Sequence, residues 1–82
     1  MLLIYIGEID TTLHIQFSSS QSLSGQLIVS NAIGQAILTM PIEITNGNNG
    51  IKISTPANIL PGCYILRIEA NNKNWVRKFM EM

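Results

Sequence analysis

The chain has 82 residues, 46% of them hydrophobic and only 12% charged, and its five basic and five acidic side chains cancel to a formal net charge of zero. That length supports one small domain, the balanced charge excludes a broad basic surface for nucleic acid, and 14 isoleucines among 24 Ile, Leu and Val exclude a disordered chain. A single cysteine, Cys63, and a single histidine, His14, exclude an internal disulfide, a cysteine metal cluster and a two-histidine metal site.

The first segment, Met1-Leu2-Leu3-Ile4-Tyr5-Ile6, is apolar but short. No Lys or Arg precedes it and no small-residue cleavage site follows it, so it reads as a strand over roughly 2–9 and not as a signal peptide. No apolar run approaches the roughly 20 residues of a membrane span. Leu13, Ile15 and Phe17 then alternate with His14 and Gln16, which predicts a half-buried strand over 11–17. Ser18 to Ser22 and Ser24-Gly25 read as turn residues before a strand at 26–31. Asn31-Ala32-Ile33-Gly34 predicts a hairpin turn, with Gly34 free to take a positive φ. Segments follow at 35–40 and 42–45, read as one strand bent at Pro41, which lacks an N–H for a central ladder. Asn46-Gly47-Asn48-Asn49-Gly50 holds two Asn-Gly turn signals. Ile51 and Ile53 flank Lys52 in a strand at 50–54. Thr55-Pro56-Ala57-Asn58 and Leu60-Pro61-Gly62 bracket a longer connection. Tyr64, Leu66 and Ile68 alternate along 63–69, Asn71-Asn72-Lys73-Asn74 is the last turn, and a final strand runs over 74–80. The pattern predicts an all-β fold: one immunoglobulin-like antiparallel β-sandwich of about seven strands over residues 1–82. No Cys-Trp-Cys spacing is present, so an antibody-like domain is excluded.

Side chains that could carry chemistry are sparse. Cys63 has no base or cation beside it in sequence and reads as an inert, partly buried thiol. His14 alternates with core residues and reads as a solvated strand histidine. Glu8, Asp10, Glu43, Glu69 and Glu81 are scattered, and no phosphate-binding glycine loop occurs. The expectation is a domain that is not an enzyme and uses no cofactor or metal. Lys73, Arg77 and Lys78 place three of the five basic residues within the last ten positions. Physics alone reads them as the solvated guard of an edge strand; a docking end for a partner is the alternative.

One ordered set of motifs is more specific. Leu60-Pro61-Gly62-Cys63-Tyr64-Ile65-Leu66-Arg67-Ile68 is followed by a turn and by Trp75-Val76-Arg77-Lys78-Phe79-Met80, with Leu27-Ile28-Val29-Ser30-Asn31-Ala32-Ile33-Gly34-Gln35-Ala36-Ile37 upstream. This set resembles the C-terminal sorting domain family of the type IX (Por) secretion system, in order, spacing and position, from about residue 5 to 82. The block Thr12-Leu13-His14-Ile15-Gln16-Phe17 resembles that domain's first strand. Family members usually open with a Tyr-Pro-Asn-Pro-like stretch; here Tyr5-Ile6-Gly7-Glu8 keeps the tyrosine and lacks both prolines, so residues 1–8 are an atypical start. The resemblance implies a non-enzymatic secretion address that directs a cargo protein through the outer membrane to the cell surface or medium. It implies as partners the outer-membrane secretion machinery and its sortase-like protease, with Leu60, Pro61, Gly62, Tyr64, Lys78 and Phe79 as recognition residues and Gly34 as a turn determinant. Such a domain passes from periplasm to surface as the tail of a larger precursor. The competing reading is a free-standing immunoglobulin-like adhesion or assembly module that self-associates through exposed strand edges.

Overall fold

The computed structural model describes residues 4–9, 12–54 and 61–81. Seven strands follow in chain order: β1 (Ile4–Ile9), β2 (Thr12–Ser19), β3 (Leu23–Asn31), β4 (Ala36–Ile44), β5 (Gly47–Ser54), β6 (Gly62–Ala70) and β7 (Lys73–Glu81). They form two antiparallel sheets, one ordered β1-β2-β5 and the other β4-β3-β6-β7. The seven-strand immunoglobulin plan keeps its fourth strand in the first sheet. Here β4 stays beside β3 in the second, because a short hairpin joins the two.

The period-two pattern becomes the core. Leu13, Ile15, Phe17 and Ile53 supply the buried face of the three-stranded sheet. Leu27, Val29, Ile42, Ile44, Tyr64, Leu66, Ile68 and Ala70 supply that of the four-stranded sheet, and all twelve form one apolar cluster. Ile15, Leu27, Leu66 and Ile68 are the largest fully buried side chains. Each lies near the middle of an inner strand, where neighbours on both sides and the facing sheet exclude water. Ile28 lies on the opposite face from Leu27 and Val29. It is nevertheless buried, with Thr39 and Arg67 as its cross-strand neighbours.

Side-chain amides fix the connections. At the β3–β4 hairpin, Asn31 Oδ1 accepts from the backbone N–H groups of Ile33 (3.2 Å) and Gln35 (2.9 Å), and Asn31 Nδ2 donates to Gln35 Oε1. The Gly34 N–H donates to the Asn31 carbonyl at 3.0 Å, with Gly34 at φ +90°. Asn31 thus satisfies donors that a tight turn leaves without ladder partners. Between β4 and β5, Asn49 Oδ1 accepts from the Thr45 N–H (2.9 Å), and Asn49 Nδ2 donates to the Thr45 carbonyl (2.9 Å). The β6–β7 hairpin closes on Asn71 and Asn72, at φ +53° and +62°. Positive φ at both central residues is the type I′ arrangement, whose twist suits two-residue hairpins.

Four details differ from the sequence reading. Ser18 and Ser19 lie in β2 and pair with β5, so the turn begins only at Ser20. Ser24 and Gly25 lie inside β3 and not in a turn. Gly25 is suited to this place because it faces β6: a Cβ there would collide with the Glu69 carbonyl oxygen and sit 2.9 Å from the Ala70 Cβ. Asn48, Asn49 and Gly50 belong to β5, so the first Asn-Gly step marks a crossing between sheets and the second lies within a strand. Lys73 and Asn74 pair in β7, which leaves a turn of two residues. The segments 35–40 and 42–45 do form one strand, and Pro41 sits in β4 at a sheet edge, where its missing N–H costs no central ladder bond.

Candidate functional site

The register of the four-stranded sheet gathers motifs that are far apart in sequence. Asn31 on β3 faces Tyr64 on β6, and Tyr64 faces Phe79 on β7. The β3–β4 turn with Gly34, the start of β6 with Pro61 and Gly62, and the end of β7 with Lys78 and Phe79 therefore share one end of the sheet. Leu60 lies outside the described residues. Pro61 is exposed, and Gly62 opens β6 at φ +149°, a conformation that side chains disfavour. The glycine turns the chain so that the next inward position falls on Tyr64.

Tyr64 is 7% exposed and its ring stacks on Phe79, with centroids 5.9 Å apart and planes inclined by 28°. An offset pair of this kind contributes about 0.5–1.5 kcal/mol beyond area burial. Buried Tyr64 and half-buried Phe79 thus form one contact. Lys78, the neighbour of Phe79, points to the other face opposite Ile65 and is exposed.

Alternation divides β7 cleanly. Trp75, Arg77 and Phe79 share the core-side face with Ile68, Leu66 and Tyr64 across the ladder. Trp75 and Phe79 pack against the core, whereas Arg77 between them stays exposed at the rim. Val76, Lys78 and Met80 share the outer face, where Val76 and Met80 are each 58% exposed. A core-side charge on an edge strand opposes indiscriminate pairing.

Cys63 departs from the sequence reading. It is exposed, because Tyr64 takes the inward position and the pleat sends Cys63 outward. Its Sγ lies 3.1 Å from Met80 Sδ across the ladder. The sequence reading did not single out Met80 as its neighbour; the antiparallel register alone brings them together. His14 takes the outward side as expected, between buried Leu13 and Ile15, but is half-buried and not fully solvated. Glu43 accepts from Ser24 Oγ at 2.9 and 3.1 Å, and Arg67 pairs with Glu69 at 3.3 Å. Both are exposed arrangements on the outer face; the first is a hydrogen bond that leaves the Glu43 charge in place, the second an ion pair.

A cleft of about 50 Å³ opens at the other end of β7, among Ser19, Gln21, Leu23, Ile44, Lys73 and Trp75. It has room for one or two waters. No helix among the described residues is long and apolar enough to cross a membrane.

Residues 9–81 match the secretion system C-terminal sorting domain. The match spans nearly the whole sandwich, and the chain belongs to that family, the sorting domains of type IX secretion. Membership implies a secretion sorting signal that engages the type IX machinery, and export to the cell surface or medium. A search of curated proteins finds no match.

Proposed function

We propose that residues 1–82 act as one sorting domain, with 1–8 as an atypical start, that routes a cargo protein across the outer membrane to the cell surface or medium. The domain is recognised as a folded object and performs no chemistry itself. A sortase-like protease of the machinery then separates it from its cargo. Gly62, Tyr64, Lys78 and Phe79 carry recognition, with Leu60 and Pro61 as part of the same sequence motif and Gly34 as the turn determinant. The observation that supports this reading is the Tyr64–Phe79 contact. It joins the two motif halves into one rigid sheet end, with Lys78 displayed next to the pair.

The test is a fusion of a signal peptide, a fluorescent reporter and residues 1–82 in a host with type IX machinery. Variants carry Lys78→Ala or Tyr64→Ala, or lack residues 78–82, with folding checked by circular dichroism. Export of the intact fusion alone, with the folded variants retained in the periplasm, is the expected result. Retention of a folded intact fusion would overturn the proposal and favour a free-standing module.

A further inference from the structure

Among the described residues, four strands end the two sheets: β1, β5, β4 and β7. They are not equivalent as templates for another strand. The edge strand β4 carries Pro41, and its pairing shifts register between Val29 and Ser30, which leaves Ile37 as an extra residue. A missing N–H and a bulge both interrupt an edge. The edge strand β5 begins Gly-Asn-Asn-Gly, a composition that pairs weakly. The edge strand β1 has six residues. By contrast β7 runs for nine residues in unbroken register with β6, from Lys73 opposite Ala70 to Glu81 opposite Gly62. It contains neither Gly nor Pro, and Trp75, Val76 and Phe79 favour the extended state.

Charge selects what can lie along that edge. Lys73, Arg77 and Lys78 oppose Glu81 alone, so the strand carries a net charge of +2. Lys73 is on the core-side face and Lys78 on the outer face, both exposed, so a paired strand would meet a cation on each face. A second copy of β7 would bring like charges together, which disfavours pairing. The edge is therefore long and regular, and closed to its own kind by charge.

We propose that the outer edge of β7 docks an extended, acidic segment of a partner protein by strand addition, with main-chain bonds giving affinity and Lys73 and Lys78 giving selection. The partner is a component of the export machinery, a point that rests on the sorting reading above. Val76 and Met80 flank Lys78 on the outer face and give the added strand apolar side chains to cover.

The test uses the whole 82-residue chain and three blocked octapeptides that alternate Thr or Val with Glu, Gln or Lys. Residue-resolved NMR shifts and amide exchange locate binding. The Glu peptide is expected to protect amides of β7 and to leave β1, β4 and β5 unchanged. The Gln peptide is expected to bind about tenfold more weakly, and high salt to reduce the difference. The double variant K73E/K78E leaves one cation against three carboxylates and is expected to reverse the preference toward the Lys peptide. If that variant does not fold, Lys78→Gln and the salt series on the unaltered chain decide. Equal binding of the three peptides, protection at another edge, or self-pairing through β7 would overturn the proposal. The same variants in the export fusion separate the two readings: normal export of a folded K73E/K78E fusion removes β7 docking, and with it the recognition role of Lys78, while the sorting function of the domain stands. Retention of the unaltered fusion removes sorting, while the peptide results still report on the edge.

Discussion

At the scale of single residues, two glycines illustrate different constraints. Gly25 is fixed by its surroundings, since a Cβ there would press on the Glu69 carbonyl and on the Ala70 side chain. These atoms belong to the inner β3–β6 ladder and have no flexible end to yield. Gly25→Ala is therefore expected to destabilise the fold by about 1–3 kcal/mol, in the range of overpacked cores, measured by urea unfolding. Gly62 is fixed by its backbone: nothing lies within 4 Å of a built Cβ, but φ is +149°. Gly62→Ala is expected to cost roughly 1–3 kcal/mol through strain alone. Tyr64→Ala removes a buried ring and is expected to cost about 3–5 kcal/mol, a large share of the roughly 5–15 kcal/mol that holds most domains. Lys78→Ala touches no core contact and is expected to leave stability within about 0.5 kcal/mol. A loss of export in Lys78→Ala therefore speaks for recognition more directly than the same loss in Tyr64→Ala.

At the scale of elements, the strands were legible in the sequence wherever one face is apolar. The alternation at Leu13, Ile15 and Phe17, and again at Tyr64, Leu66 and Ile68, marked both the strand and its buried side. Strand ends were less legible. Ser24-Gly25 carries turn chemistry yet pairs in a ladder, because a glycine is tolerated inside a strand where a neighbouring backbone approaches closely. Local propensity cannot register that approach. The candidate site was legible as motifs and not as a place. Only the register Asn31, Tyr64, Phe79 unites them, and register between distant strands is decided by packing. The β6–β7 hairpin offers a check on element-level reasoning. Asn72 holds φ +62°, which glycine adopts at lower cost, and Asn-Gly is the favoured type I′ pair. Asn72→Gly is expected to raise Tm by about 2–4 °C, read by thermal denaturation. A lowered Tm would mean that Asn72 contributes more than its backbone shape.

At the scale of the molecule, low charge and exposed edges act together. A formal net charge of zero and a sequence pI near 6.5 leave little repulsion between copies at neutral pH. Ile33, Val76 and Met80 are exposed at 80%, 58% and 58%, and Val76 and Met80 lie on the longest regular edge strand. The features that oppose edge pairing are then local: Pro41 and the bulge on one edge, Lys73 and Lys78 on another. Solubility is expected to pass through a minimum near pH 6.5 and to rise on either side as net charge grows. The variant K73E/K78E separates the two protections, because each exchange removes a positive charge and adds a negative one, taking the chain to a net charge of −4. If net charge governs association, this variant is more soluble than the unaltered chain at pH 7. If the local charges of β7 govern it, the variant associates with the unaltered chain despite its larger charge, since its acidic edge now complements β7 of an unaltered copy. Sedimentation of the variant alone and mixed with the unaltered chain distinguishes these outcomes. The expected result is a soluble variant by itself and mixed dimers in the blend, which is the behaviour of an edge that selects strands by charge.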